Sequence, residues 1–235
     1  MRQFYFFVLI MLLSICSFGQ IQIGIKSGYN YFFTIDKELG PTTYSIDNNS
    51  WVVAISLRER TPGMFNMGFE IEYISHSFSV DSRWGGPNNG DHAQYSYSIG
   101  YLNLYILPQF VFGKHLKWFV YVGPYVGQLT NSKINGTLNS WHGTTNKSIT
   151  REGKASEDFV RTDFGVATGA GIDIPIFKRL NFLIEIGSSI GFRNLAKAWS
   201  TDFFNFLNLK AEVGFTYNIG NQGLFKRNSC KKGTL

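Results

Sequence analysis

The chain has 235 residues and a formal net charge of +6; 44% of its residues are hydrophobic, 17% aromatic and 16% charged. That length suits one domain. The charged share is well below the roughly one quarter usual in soluble domains, and Lys and Arg form no extended run, which argues against nucleic acid as a partner.

The N-terminus reads as a leader. Arg2 supplies a positive start, residues 4–13 form an unbroken apolar run, and Ser17-Phe18-Gly19 offers a cleavage site before Gln20. This is the layout of a secretory signal peptide over residues 1–19. A lipoprotein reading at Cys16 is disfavoured by Ile15, which stands where a small residue belongs. Cys230 is the second of the two cysteines and lies near the C-terminus, so neither a disulfide framework nor a zinc site is expected. No segment approaches the ~20 apolar residues of a membrane-crossing helix, so any crossing must use strands.

The remainder alternates with a period of two, the signature of strands with one apolar face. In residues 21–33, Ile23, Ile25, Tyr29, Tyr31 and Phe33 oppose Gln22, Gly24, Lys26 and Asn30. A polar loop is expected at 34–49, a strand at 51–60, a turn at 61–63 and a strand at 66–80, where Met67, Phe69, Ile71 and Tyr73 oppose Gly68, Glu70 and Glu72. A Gly- and Asn-rich loop at 81–94 precedes a strand at 95–112. The turn at 113–117 leads to a strand at 118–130, and residues 131–162 read as the longest loop. Strands at 163–174, 180–193 and 207–220 follow, separated by a turn at 175–179 and a loop at 194–206.

The expected fold is therefore all-β: an eight-stranded antiparallel up-and-down transmembrane β-barrel over residues 20–220, with a cleaved signal peptide before it and a basic tail, 221–235, after it. A secreted soluble β-sandwich alternates too. Two features favour the barrel. Its connections run long, short, long, short, as in outer-membrane barrels, and its strands are nearer the ~9–11 residues that cross a bilayer than the ~5–6 of soluble sheets. The strand count is even, so both termini fall on one side, expected to be periplasmic, with the four long loops outward.

The run Tyr101-Leu102-Asn103-Leu104-Tyr105-Ile106-Leu107-Pro108, the Phe112-Gly113 turn, Tyr121-Val122-Gly123-Pro124-Tyr125-Val126-Gly127, and Asp163-Phe164-Gly165 with Thr168-Gly169-Ala170-Gly171-Ile172 carry a resemblance. They are similar to the porin-like outer-membrane β-barrel family of Gram-negative bacteria, in particular its PorT-like group. The resemblance implies outer-membrane lipid as the surroundings and allows envelope or secretion proteins as partners. It brings no catalytic residue. Many such barrels end on an aromatic that closes the last strand, whereas this chain runs on past Ile219.

The small faces of the strands carry charge: Lys26, Arg58, Lys210, Glu70, Glu72, Asp173, Glu185 and Glu212. In an eight-strand barrel these side chains should meet inside as compensated ion pairs, because lone buried charges are very costly. A polar pathway or a carboxylate pair is the functional alternative to that bland filling. Tyr29, Tyr31, Trp51, Tyr95 and Trp118 lie near strand ends, where aromatic girdles belong. Asp91-His92 and Ser140 with His142 are the nearest approach to a catalytic pair, and no spacing rule links them. Gly165, Gly169 and Gly171 lack the following helix of a phosphate-binding loop and are expected instead to make room in a narrow lumen or to curve a strand. The Asn-x-Ser/Thr triplets at Asn48, Asn135 and Asn146 mark exposed loops. The expected function is an envelope barrel of structural, adhesive or envelope-associated type, with no catalysis, cofactor or metal. A small pore or a secretion-machine component is the alternative. The ligand of the outer loops is not legible.

Overall fold

Strand alternation of this kind leaves an unpaired backbone edge unless the sheet closes on itself. The computed structural model describes residues 21–35, 42–46, 50–60, 63–85, 89–113, 115–142, 145–193 and 205–219. The leader (1–19), the basic tail (221–235), residues 194–204 and Asn48 lie outside the described residues.

Ten strands form among them: β1 (Ile21–Ile35), β2 (Thr42–Ile46), β3 (Trp51–Glu59), β4 (Phe65–Gly85), β5 (Asn89–Phe112), β6 (Lys117–His142), β7 (Thr145–Lys154), β8 (Thr162–Pro175), β9 (Leu180–Gly191) and β10 (Asn205–Ile219). Eight close a ring, in the order β1-β3-β4-β5-β6-β8-β9-β10, with every neighbour antiparallel. First and last strands pair along their whole length, from Ile21 against Ile219 to Ile35 against Asn205. The ring thus has no open edge, which hydrocarbon demands of a spanning sheet.

The burial pattern is that of a water-soluble sheet turned inside out. Ile25 and Ile55 are each 59% exposed and Ile186 is 68% exposed, while Lys26 is 2%, Glu185 1% and Glu72 0% exposed. Water does not tolerate so continuous an apolar band, whereas lipid requires one. The expected strands, faces and closure are all present.

Two expected loops prove to be largely strand. β4 and β5 continue to Gly85 and from Asn89, converting most of the 81–94 loop into a long hairpin. β6 runs to His142 and β7 returns along it, filling much of 131–162. In the first loop, β2 pairs with β4 between Thr42 opposite Ser82 and Ile46 opposite Phe78. The physical reason is a change of face. Up to Tyr73, the outward positions of β4 are apolar and the inward ones polar. Beyond it, Ile74, Phe78 and Val80 point inward and are buried, while Ser77, Ser79 and Asp81 face out. The extension is an ordinary half-wetted sheet, and its polar outer face reads as loop when only the lipid-facing phase is followed. The change of phase coincides with a bulge: Gly100 pairs with Asn131 but Tyr101 with Leu129, so Thr130 is the extra residue, and its hydroxyl donates to the Gly100 carbonyl (3.0 Å).

At the end that carries the termini, the connections are short. Gly113 adopts φ of 98° between β5 and β6, and a Cβ there would also collide with the Leu116 carbonyl, so the turn calls for glycine twice over.

Candidate functional site

The inward face of the ring holds two layers. Nearer the termini lies a layer of charge, built from inward positions on six of the strands. Lys26 of β1 places its Nζ 2.9 Å from Glu70 of β4, 2.7 Å from Glu185 of β9 and 3.1 Å from Glu212 of β10. Arg58 of β3 donates to the other oxygen of Glu185 at 2.9 Å and lies 4.3 Å from the Phe119 ring centroid. Lys210 of β10 bonds Glu72 of β4 and sits over the Tyr105 ring. Asp173 of β8 lies in the field of Arg58. All eight residues are at most 7% exposed.

Tyrosines complete the layer, and sequence reasoning did not assign them. Tyr105 donates to Glu72 (2.6 Å), Tyr121 to Glu185 (2.8 Å) and Tyr125 to Asp163 (2.7 Å). Their parity with Asn103 and Gln109 on the inward faces was the available signal. The oxygens of Glu70, Glu72 and Glu212 fall within 4.8 Å of one another, spacing that could hold a metal ion. The ammonium groups of Lys26 and Lys210 already bridge these carboxylates, so the cluster is a set of ion pairs.

Toward the far end comes an apolar layer. Phe32, Ile74, Phe78, Tyr97 and Ile99 are buried there, and Phe159, from the segment after β7, packs against the Phe78 and Tyr97 rings at 6.4 and 5.5 Å. That segment is stitched down by Tyr101 Oη donating to the Val160 carbonyl (3.0 Å) and by the Leu129 amide donating to the Arg161 carbonyl (2.7 Å). His76 stands between the layers, its Nε2 2.8 Å from Asn208 and its ring edge-on to Phe32. Nothing in its sequence surroundings had marked it.

Of the aromatics expected near strand ends, Tyr29, Tyr31, Trp51 and Trp118 lie on the outward face and are 41–49% exposed. Tyr29 stands opposite Trp51, which meets the Tyr73 ring at 5.2 Å. Tyr95 is placed otherwise: it packs against the inner apolar layer, because it belongs to the extension, where apolar side chains point inward. His92 meets Asp81 across the β4–β5 hairpin at 3.0 Å, rather than its chain neighbour Asp91.

The outer-membrane protein OprG of Pseudomonas aeruginosa has a similar structure, with a TM-score of 0.52 at 12% identity, over 87% of this chain and 97% of that one. Ail, the attachment invasion locus protein of Yersinia pestis, aligns at 13% identity over 86% of this chain and 99% of its own, with a TM-score of 0.39. Neisserial surface protein A aligns at 9% identity over 85% and 98%, with a TM-score of 0.38. No curated protein matches the chain by sequence. The family model for the outer membrane protein beta-barrel domain matches residues 17–197, so the chain belongs to that family and is a protein of the bacterial outer membrane.

Proposed function

We propose that this barrel is a non-conducting, non-catalytic envelope scaffold that displays the β4–β7 extension outward as a contact surface, with both termini in the periplasm. The observation that carries the reading is that the lumen is filled at two successive levels, by the Lys26–Glu185–Glu212 ion pairs and by the Phe78–Tyr97–Phe159 aromatic packing. A ring of eight strands is only wide enough for side chains to fill. The outward face of the extension is polar, with Ser96, Asn131, Lys133 and Asn135 exposed, which suits contact with water and envelope partners rather than lipid. The aromatics at Tyr29, Tyr31, Trp51 and Trp118 serve as interfacial anchors. Residues 1–19 direct export and 221–235 remain in the periplasm.

Planar-bilayer recording of the purified chain tests the filled lumen: no steady conductance is expected, and reproducible open steps would overturn it. Labelling of Lys147 on intact cells by a membrane-impermeant amine reagent tests the orientation, since Lys147 is exposed on β7. Absence of labelling on cells, together with labelling after lysis, would reverse the topology.

A further inference from the structure

We propose that the cavity at the termini end of the lumen binds hydrogen phosphate, which carries both bare oxygens and a P–OH at neutral pH. The cavity measures about 300 Å³ and is lined by Arg58, Arg60, Gln109, Lys117 and Asp173, among others. Arg58 and Asp173 belong both to its wall and to the charge layer. The Arg58 guanidinium spends Nη2 on Glu185, while its Nη1 is buried without a partner. Gln109 Nε2 is likewise buried without a partner, in a residue 2% exposed. Native structures rarely leave such donors unsatisfied, and an arginine cannot shed its proton to escape the cost.

The orphaned groups are of two kinds, and that mixture specifies the ligand. Arg58 Nη1 and Gln109 Nε2 offer protons. Asp173 Oδ1, also buried and unpartnered, offers a lone pair. Three cationic side chains, Arg58, Arg60 and Lys117, line the cavity with two carboxylates, Asp173 and Glu59. Lys117 stands opposite Asp173 in the β6–β8 register, and Arg60 bonds Asn218. A hydrogen phosphate matches this set: its bare oxygens accept from Arg58 and Gln109, and its P–OH donates to Asp173. Sulfate has similar size and charge but no proton to donate at neutral pH, so it would set an oxyanion against the Asp173 carboxylate. A site built to pair a donor rejects the analogue that lacks it.

Calorimetric titration of the full-length chain in non-ionic detergent near neutral pH, with inorganic phosphate, glycerol phosphate and sulfate, tests this. Saturable phosphate binding is expected, with sulfate at least about tenfold weaker. Gln109→Leu and Lys117→Gln should each weaken phosphate about tenfold, and Asp173→Asn should erase the preference over sulfate, because an amide can donate. Arg58 is left intact, since it also braces Glu185. Glycerol phosphate, a monoester that has largely lost its last P–OH proton near neutral pH, should bind as weakly as sulfate; glycerol phosphate binding as tightly as inorganic phosphate would overturn the pairing of a P–OH with Asp173. The proposal is overturned if no saturable phosphate binding occurs. It is equally overturned if wild type does not distinguish phosphate from sulfate, or if Gln109→Leu and Asp173→Asn, shown folded by heat-modifiable gel mobility, bind both anions as wild type does.

Discussion

Lys26 Nζ lies 2.7 Å from Glu185 Oε1, and neither side chain is exposed. Glu185 also accepts from Arg58 and Tyr121, so one carboxylate of β9 ties together β1, β3 and β6. Removing one partner from a buried ion pair strands the other charge and costs about 3–5 kcal/mol, whereas removing both is far milder. Glu185→Gln and Arg58→Ala should each lower the temperature at which the detergent-solubilised barrel loses its compact gel mobility. Lys26 and Glu185 are not an isolated pair: the double change Lys26→Met with Glu185→Leu leaves Glu70 and Glu212 without Lys26 and Arg58 without Glu185, so it should lower the temperature at least as far as Glu185→Gln alone. Unaltered transitions in both single variants would show that the ion pairs contribute nothing to holding the ring.

Gly169 stands on the inward side of β8, where a Cβ would collide with the hydroxyl end of Tyr121. Tyr121 cannot yield without giving up its bond to Glu185. Gly169→Ala should therefore destabilise by overpacking, about 1–3 kcal/mol. Combining it with Tyr121→Phe should cost less than the sum of the two single changes, because both disturb the same hydroxyl. Strict additivity in heat-modifiable mobility would separate Gly169 from the charge layer.

The lipid-facing half of the fold was legible because its signal is local. Ile23, Ile25, Ile55 and Ile71 alternate with small or charged residues, and their exposure follows that alternation. The pairing of Lys26 with Glu185 could be anticipated in kind but not in detail, since 159 residues separate them and parity alone places both inside. The extension reads as loop in the sequence. Its apolar positions, Ile74, Phe78, Tyr97 and Ile134, alternate as regularly as those of the belt but on the opposite face, and Thr130 shifts the phase of β6. A reading that follows one face loses the strand where the solvent changes from lipid to water. Tyr95 reads as an outward aromatic for the same reason.

Phe159 fills the far-end layer from a segment that is otherwise polar, and it is 4% exposed. Phe159→Ala removes the ring that packs edge-on against the stacked Phe78 and Tyr97 rings, a truncation that costs about 3–5 kcal/mol where a core cannot collapse. The loss should be local, because the segment hangs from the extension by Tyr101–Val160 and Leu129–Arg161. Limited proteolysis within residues 155–161 should accelerate strongly, while the heat-modifiable transition of the ring stays in place. Equal loss of both would show that the apolar layer and the barrel unfold as one unit.

Asp81 lies on the water-facing side of the β4–β5 hairpin, and Gln94 Nε2 and His92 Nε2 each donate to its carboxylate at 3.0 Å. The Gln94 hydrogen bond, followed by that of His92, holds the carboxyl below its ordinary value. A depressed carboxyl pKa contributes stability that is fully present above the unfolded value of about 3.9 and is lost as pH falls through the folded one. The hairpin should thus be insensitive to this group at neutral pH and loosen only in acid. Carbon-13 NMR titration of the Asp81 carboxyl should give a midpoint below that of aspartate in a free peptide, and Gln94→Ala should move the midpoint up. A wild-type midpoint at or above the peptide value would show that neither side chain holds the carboxylate, and that the hairpin rests on its backbone ladder alone.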